Sequence, residues 1–190
     1  MDNRMKPFFT VITPTILRTS LNKCVDSVKG QCAQHIVMVD LYGWTNIKRT
    51  QEFEIHITGK RYEDFGNTPR HLAWQYAKGD YLIYLDDDNF LYNVHSLRRL
   101  AVALNESGLP DVAFIPMMMK GNVFMPPRPP VVGAVDTGNI VVKREIGQWP
   151  IKGGYEADGH FAEYLASKYD CVYLPELEPI IVMEKSNYGK

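Results

Sequence analysis

The stretch Tyr81-Leu82-Ile83-Tyr84-Leu85-Asp86-Asp87-Asp88-Asn89 limits what this chain can be more than any other. Five aromatic and branched apolar residues, the composition of a buried strand, run directly into three consecutive carboxylates. Adjacent acids repel one another, and a divalent cation is the natural way to offset their charge. Hard oxygen ligands at the carboxyl end of a strand suit Mg²⁺ or Mn²⁺, ions that commonly hold substrate phosphates as well. The stretch therefore reads as a metal-assisted nucleotide site. The plain structural alternative is an Asx turn or helix cap at Asp88 or Asn89. An EF-hand is excluded, because counting from Asp86 puts Leu91 where the turn glycine belongs and Leu97 where the bidentate glutamate belongs.

The rest of the composition frames that site. With 190 residues, 45% of them hydrophobic and 23% charged, the chain fits one soluble domain with a substantial core. A formal net charge of -1 carries no global signal for nucleic acid or an anionic membrane. Cys24, Cys32 and Cys171 have no metal-type spacing and cannot all pair, so they are expected as small core residues in a reducing interior. Arg4 and Lys6 precede an apolar run, Phe8 to Ile12, that is too short for a signal segment, and nothing approaches the ~20 apolar residues of a membrane span. The expected location is cytoplasmic, with any membrane-borne acceptor met peripherally.

Taken in order, Phe8 to Ile12 reads as a first strand stopping at a Thr13-Pro14-Thr15 turn. Ser20 is placed to cap a helix with Leu21, Cys24, Val25 and Val28 inward, closed by Gly30. His35 to Leu41 is a second strand carrying Asp40 at its end, and Phe53 to Ile57 a third. Thr68-Pro69 predicts a helix start, with Leu72, Ala73, Tyr76 and Ala77 buried and Arg70 in the first turn. A cation there opposes the helix dipole and is better explained by an anion or a neighbouring carboxylate. Asn93 is a candidate cap for a helix with Leu97, Leu100, Ala101 and Leu104 inward, and Val112 to Ile115 is another strand. Met117 to Met119 read as core filler leading into a long Pro-rich loop, Pro126 to Pro130. Asp136-Thr137-Gly138-Asn139 turns into a strand at Ile140 to Val142. Asp158 is available to cap a helix with Phe161, Tyr164, Leu165 and Lys168 on its buried stripe, and Glu156 to serve as a turn residue. Cys171 to Leu174 and Ile180 to Met183 close the fold, and Lys185 to Lys190 is a tail. The order of strands and helices predicts an α/β architecture, with ligands at the carboxyl ends of the strands.

These residues together resemble a known family. Thr10 to Thr15, Asp40, Asn67-Thr68-Pro69-Arg70-His71-Leu72-Ala73, Ala77 to Tyr81 and Asp86-Asp87-Asp88 look like a glycosyltransferase of the GT-A fold, of the family-2 type. The Asp86-Asp87-Asp88-Asn89 version is also similar to eukaryotic glucuronyltransferases. The resemblance spans roughly residues 8–183. It implies a GT-A, Rossmann-like, mixed but mainly parallel sheet flanked by helices. It implies a single domain over 1–190, with a nucleotide-binding half at about 8–92 and an acceptor-side half at about 93–184. It further implies a nucleotide-sugar donor, most often a UDP-sugar, a glycan or glycoconjugate acceptor, and Mn²⁺ or Mg²⁺ on the diphosphate. Asp88 with Asp86 would hold the metal, Asp86 and Asp87 would face the ribose and donor sugar, and Asp40 would approach the base. Thr13, Pro14 and Thr15 would line the nucleoside pocket and Arg70 would lie near the donor. Asp158 falls where inverting members carry the catalytic base. Because Ala157 separates Glu156 from Asp158 where relatives have adjacent acids, Glu156 stays an alternative base.

The chemistry of the residues agrees with that division. Glycosyl transfer needs the leaving diphosphate stabilised and a carboxylate to take the proton of the attacking hydroxyl. A helix amino terminus would lower the pKa of Asp158 and keep it ionised. A sugar-phosphate nucleotidyltransferase would want a Gly-rich loop after the first strand, and Thr13 to Ser20 contains no glycine. A dehalogenase-type phosphatase would carry its Asp pair after the first strand. The nucleotidyltransferase stays the runner-up among enzymes, and a catalytically silent GT-A domain that binds glycan or scaffolds a partner is the alternative from another class.

Overall fold

A computed structural model describes residues 6–41 and 53–184; the expected tail at Lys185 to Lys190 lies outside them. In chain order the elements are β1 (Phe9–Thr15), α1 (Leu21–Val28), β2 (Gln34–Val39), β3 (Glu54–Ile57), α2 (Asn67–Ala73), β4 (Tyr81–Tyr84), β5 (Asn89–Leu91), α3 (Ser96–Glu106), β6 (Val112–Phe114), β7 (Met117–Met119), β8 (Asn122–Phe124), β9 (Ile140–Lys143), α4 (Ala157–Lys168), β10 (Cys171–Tyr173) and β11 (Ile181–Met183). Seven strands form the main sheet in the order β10-β6-β9-β4-β1-β2-β3. All neighbours are parallel except β9, which runs antiparallel to both β4 and β6. The fold class expected from the sequence, a mixed and mainly parallel sheet flanked by helices, is the one observed.

Alternation along the central strands divides the core. Val11, Ile83, Ala113 and Val141 face Cys24 and Val28 of α1 and Leu97, Leu100 and Leu104 of α3. Ile12, Leu82, Tyr84, Phe114 and Val142 face Ala73 of α2 and Phe161 and Leu165 of α4. Strands covered on both faces must be apolar throughout, hence the unbroken run Tyr81 to Leu85. Its two phenols are buried with their polar tips satisfied: Tyr81 donates to the carbonyl of Pro110 at 2.7 Å, and Tyr84 to that of Gly147.

Several local expectations are corrected. β1 does not stop before Thr13 but runs through Pro14 to Thr15. Ile12 accepts from Leu85 on the β4 side, so the proline, two residues on, aims its missing N–H past the end of the β4 pairing, where no ladder bond is lost. Ser20 sits at the start of α1 without making a side-chain cap. α2 begins at Asn67, earlier than Thr68-Pro69 suggests, because the Asp64 carboxylate accepts from the Thr68 amide at 2.8 Å and its hydroxyl at 2.5 Å. Asn93 lies three residues ahead of α3 and bonds the amide of His95 instead. Tyr76 and Tyr164 are exposed, and so is Cys32. The largest difference is a second, four-stranded sheet, β5-β11-β7-β8, built from three-residue strands. The methionines at 117–119 form one of its strands, where the sequence reading had the pattern break off.

Candidate active site

The carboxyl edge of the sheet gathers the chemistry. β4 delivers Asp86, Asp87 and Asp88, β1 delivers Pro14 and Thr15, and β2 delivers Asp40. Since β9 is antiparallel, the segment preceding it, Asp136 to Asn139, arrives at that same edge. The amino end of α4 brings Glu156 and Asp158.

Two adjoining hollows result. A smaller one of about 230 Å³ is lined by Pro14, Thr15, Arg18, Asp40, Asp64 and Asp87, with others. A larger one of about 380 Å³ is lined by Asp88, Asp136, Glu156, Asp158, Lys120 and Tyr155, with others. Phe65, Arg70 and Asp86 belong to both and mark the boundary. Thr13 faces neither: it is buried, its hydroxyl 3.0 Å from His35 Nε2 and 3.6 Å from Cys24 Sγ.

The three aspartates are not alike. Asp86 forms an ion pair with Arg70, which also donates to the carbonyl of Phe65 at 2.9 Å and lies 5.0 Å over the Trp149 ring. Arg70 is only 5% exposed, and its Nε has no partner among the described residues. Asp87 accepts from the Thr15 hydroxyl at 2.6 Å and from Arg18 at 3.1 Å. Arg18 also reaches Asp88 at 3.3 Å. Burial nonetheless raises the Asp87 carboxyl above the ordinary aspartate range, against the pull of Thr15 and Arg18. Asp88 is raised too, by burial and then by the negative charge of Asp86 and Asp87. Two arginines thus offset much of the charge that the sequence alone assigns to a cation. Arg18 escapes a sequence reading because its approach depends on the path of the loop after β1, where Leu17 takes a positive φ of 66° and its amide donates to Thr15 Oγ1 at 2.8 Å.

Asp40 is buried and occupied. It accepts from the amides of Tyr62 at 3.0 Å and Glu63 at 3.3 Å, fixing the loop that walls the smaller hollow. Trp149 is core, 1% exposed, and donates to Asn67 Oδ1 at 2.9 Å, while touching the wall of the larger hollow. Asp158 is not the cap of α4 but its second residue, and its carboxylate accepts the Gly159 amide at 2.7 Å. A helix amino terminus was expected to lower its pKa; burial dominates and raises it, with the charge of Asp86 adding to the rise. Glu156 is exposed on the rim of the larger hollow.

Asp136 is the most perturbed carboxyl of the site. One oxygen accepts from the Gly138 amide at 2.9 Å, and burial, followed by the charge of Asp86, lifts it from 3.8 to about 7. A group raised on folding contributes stability that is full below its unfolded pKa and lost as pH rises through the folded one. Asp87, Asp88 and Asp158 shift in the same direction. Thermal melts in metal-free buffer are therefore expected to fall in midpoint between about pH 4 and about pH 7, with a shallower fall in Asp136→Asn. An identical slope in the variant would remove Asp136 from this account.

Among the described residues no three His, Cys, Asp or Glu side chains are grouped so as to cage an ion. Asp86 and Asp88, which both line the larger hollow, fit instead the sparse protein ligation of Mg²⁺ or Mn²⁺ that also takes substrate phosphates. No helix of the described residues is long and apolar enough to cross a membrane.

Comparison with solved structures defines the class of architecture as the GT-A fold. S. aureus TarS 1-349 aligns with a TM-score of 0.71 at 14% identity, over 92% of this chain and 59% of that one. The same protein in complex with UDP-GlcNAc aligns at 0.65 and 14% identity, over 95% and 61%. The mannosyltransferase PcManGT from Pyrobaculum calidifontis, in complex with GDP-Man and Mn²⁺, aligns at 0.63 and 14% identity, over 98% and 59%. The chain thus spans about three fifths of the length of these structures. No family model and no curated protein matches it by sequence.

Proposed function

We propose that the chain is a nucleotide-sugar glycosyltransferase, transferring the sugar with inversion to a hydroxyl of a glycan or glycoconjugate. One observation carries this reading: two hollows of unequal size meet at a shared Arg70 and Asp86, with the Asp cluster at the junction and Asp158 on the far side only. A donor placed with its nucleoside in the smaller hollow directs its sugar toward the larger one. The solved TarS and PcManGT complexes with UDP, UDP-GlcNAc, GDP-Man and Mn²⁺ support the choice of ligand class.

In this scheme Pro14, Thr15 and the Asp40-anchored loop hold the nucleoside, and Asp86 and Asp87 face the ribose and donor sugar. The Arg70 Nε, without an acceptor among the described residues, is the group to bond a donor oxygen. Asp88 with Asp86 would hold Mn²⁺ or Mg²⁺, which would supply positive charge to stabilise a leaving diphosphate. Asp158 takes the proton of the acceptor hydroxyl; its raised pKa makes it a better base than a solvated aspartate. Glu156, more exposed, is the other candidate for that role.

Calorimetric titration of UDP, and separately GDP, with and without Mn²⁺ tests the reading on the wild type and Asp88→Ala. Metal-dependent binding of a nucleotide that is lost in the variant is the expected result. A folded wild type that binds neither nucleotide would overturn the transferase reading and favour a silent GT-A domain.

A further inference from the structure

Arg18 lies beside the acid cluster, on the wall of the smaller hollow. Its guanidinium bridges Asp87 Oδ1 at 3.1 Å and Asp88 Oδ2 at 3.3 Å, while both carboxylates are largely withdrawn from water. It lines the smaller hollow, whereas Asp88 lines the larger. The arginine is thus interposed between the pocket for the nucleoside and the carboxylate best placed to bind an ion.

Its setting differs from that of the other arginine. Arg70 is almost wholly buried and held by Asp86 and the Phe65 carbonyl, with the Trp149 ring beneath it. The Arg18 side chain is 33% exposed, on a loop joined to the cluster through Thr15, whose hydroxyl accepts from Leu17 and donates to Asp87. One arginine is sealed from water; the other borders the open smaller hollow.

We propose that Arg18 is a counter-ion gate: it closes Asp88 to a bare divalent cation, and a nucleoside diphosphate opens the site by drawing the guanidinium onto its own phosphate oxygens. The physical case rests on charge. A divalent ion at Asp88 would sit against a guanidinium only a few ångströms away in a poorly solvated corner, where like charges repel strongly. A diphosphate offers the same guanidinium a bidentate acceptor of greater charge than one carboxylate. Once Arg18 has turned to the diphosphate, Asp88 is released to the metal. Metal and nucleotide then bind with positive coupling, and the coupling is reciprocal. The Arg70 Nε, at the boundary of the hollows and without a partner among the described residues, is a second sign that a ligand oxygen belongs beside the cluster.

The nucleotide half of this inference rests on the donor reading above; the metal half does not. The test therefore begins with Mn²⁺ alone, followed through the electron paramagnetic resonance signal of the free ion. Wild type, Arg18→Met, the double variant Arg18→Met/Asp88→Asn and Lys78→Met are compared, with circular dichroism to check folding. Lys78, paired with Glu54 on the surface, controls for the loss of one positive charge. Arg18→Met is expected to bind Mn²⁺ about tenfold more tightly than wild type, with the gain abolished in the double variant and absent in Lys78→Met. UDP is then titrated with Mn²⁺ present, where Arg18→Met is expected to bind about tenfold more weakly.

Unchanged or weaker Mn²⁺ affinity in folded Arg18→Met overturns the gate, as does equal tightening in Lys78→Met. If UDP binds the wild type with Mn²⁺ while Arg18→Met alters neither affinity, the donor reading stands and the gate falls. If Arg18→Met gains Mn²⁺ affinity but no form binds nucleotide, the metal half of the gate stands and the donor reading fails.

Discussion

Asp158→Asn is expected to lower turnover by about 10²- to 10⁴-fold while leaving nucleotide affinity unchanged. The amide keeps the shape of the carboxylate but cannot take a proton. It also removes a charge that the site pays to bury, since burial and Asp86 both disfavour the ionised form. The variant should therefore be at least as stable as wild type above neutral pH, which separates a chemical defect from a folding one. Comparison with Glu156→Gln decides the assignment. Glu156 is exposed on the rim, so its loss should be felt far less. If Glu156→Gln abolishes turnover and Asp158→Asn leaves it intact, the base is Glu156.

Trp149→Ala is expected to destabilise the fold by about 3–5 kcal/mol. The indole packs edge-on to Tyr84 with ring centroids 4.7 Å apart and lies 5.1 Å from Phe161, joining β4 to α4. It also supports the Arg70 guanidinium from beneath and gives Asn67 its hydrogen-bond donor. Truncation leaves a cavity and removes the support of the ion pair that divides the two hollows. Trp149→Phe, which keeps most of the packing and loses the bond to Asn67, should cost much less, about 1 kcal/mol for that bond. Urea unfolding at constant m reads both effects; equal, small losses would mean that the core collapses around the gap.

These two residues also mark where the sequence was legible and where it was not. The main sheet was readable because its strands are continuous apolar runs and its helices carry clear stripes, so Tyr81 to Leu85 announces a central strand and Leu97, Leu100 and Leu104 a packed helix. The second sheet was not, because a three-residue strand such as Asn122 to Phe124 is too short to show a period. Trp149 lies outside any periodic stripe, and only its packing against Tyr84 and Phe161 identifies it as core. The pKa of Asp158 was assigned the wrong direction because a helix terminus is visible in sequence and burial is not. The charge argument for a cation at Asp86 to Asp88 overlooked Arg18 and Arg70, whose approach is a tertiary fact. Asp40, Asp86, Asp87 and Asp88 are delivered to one edge of the sheet by strand order alone, whereas Asp136 joins them only because β9 runs backwards between two parallel strands.

That second sheet has a practical consequence. β11 is clamped between β5, which continues from the acid cluster, and β7, and its last residue, Met183, lines the larger hollow. A label attached at Met183 would crowd the larger hollow. Phe9 begins β1 at the opposite edge of the sheet, so surface immobilisation and fluorescent labels belong ahead of it.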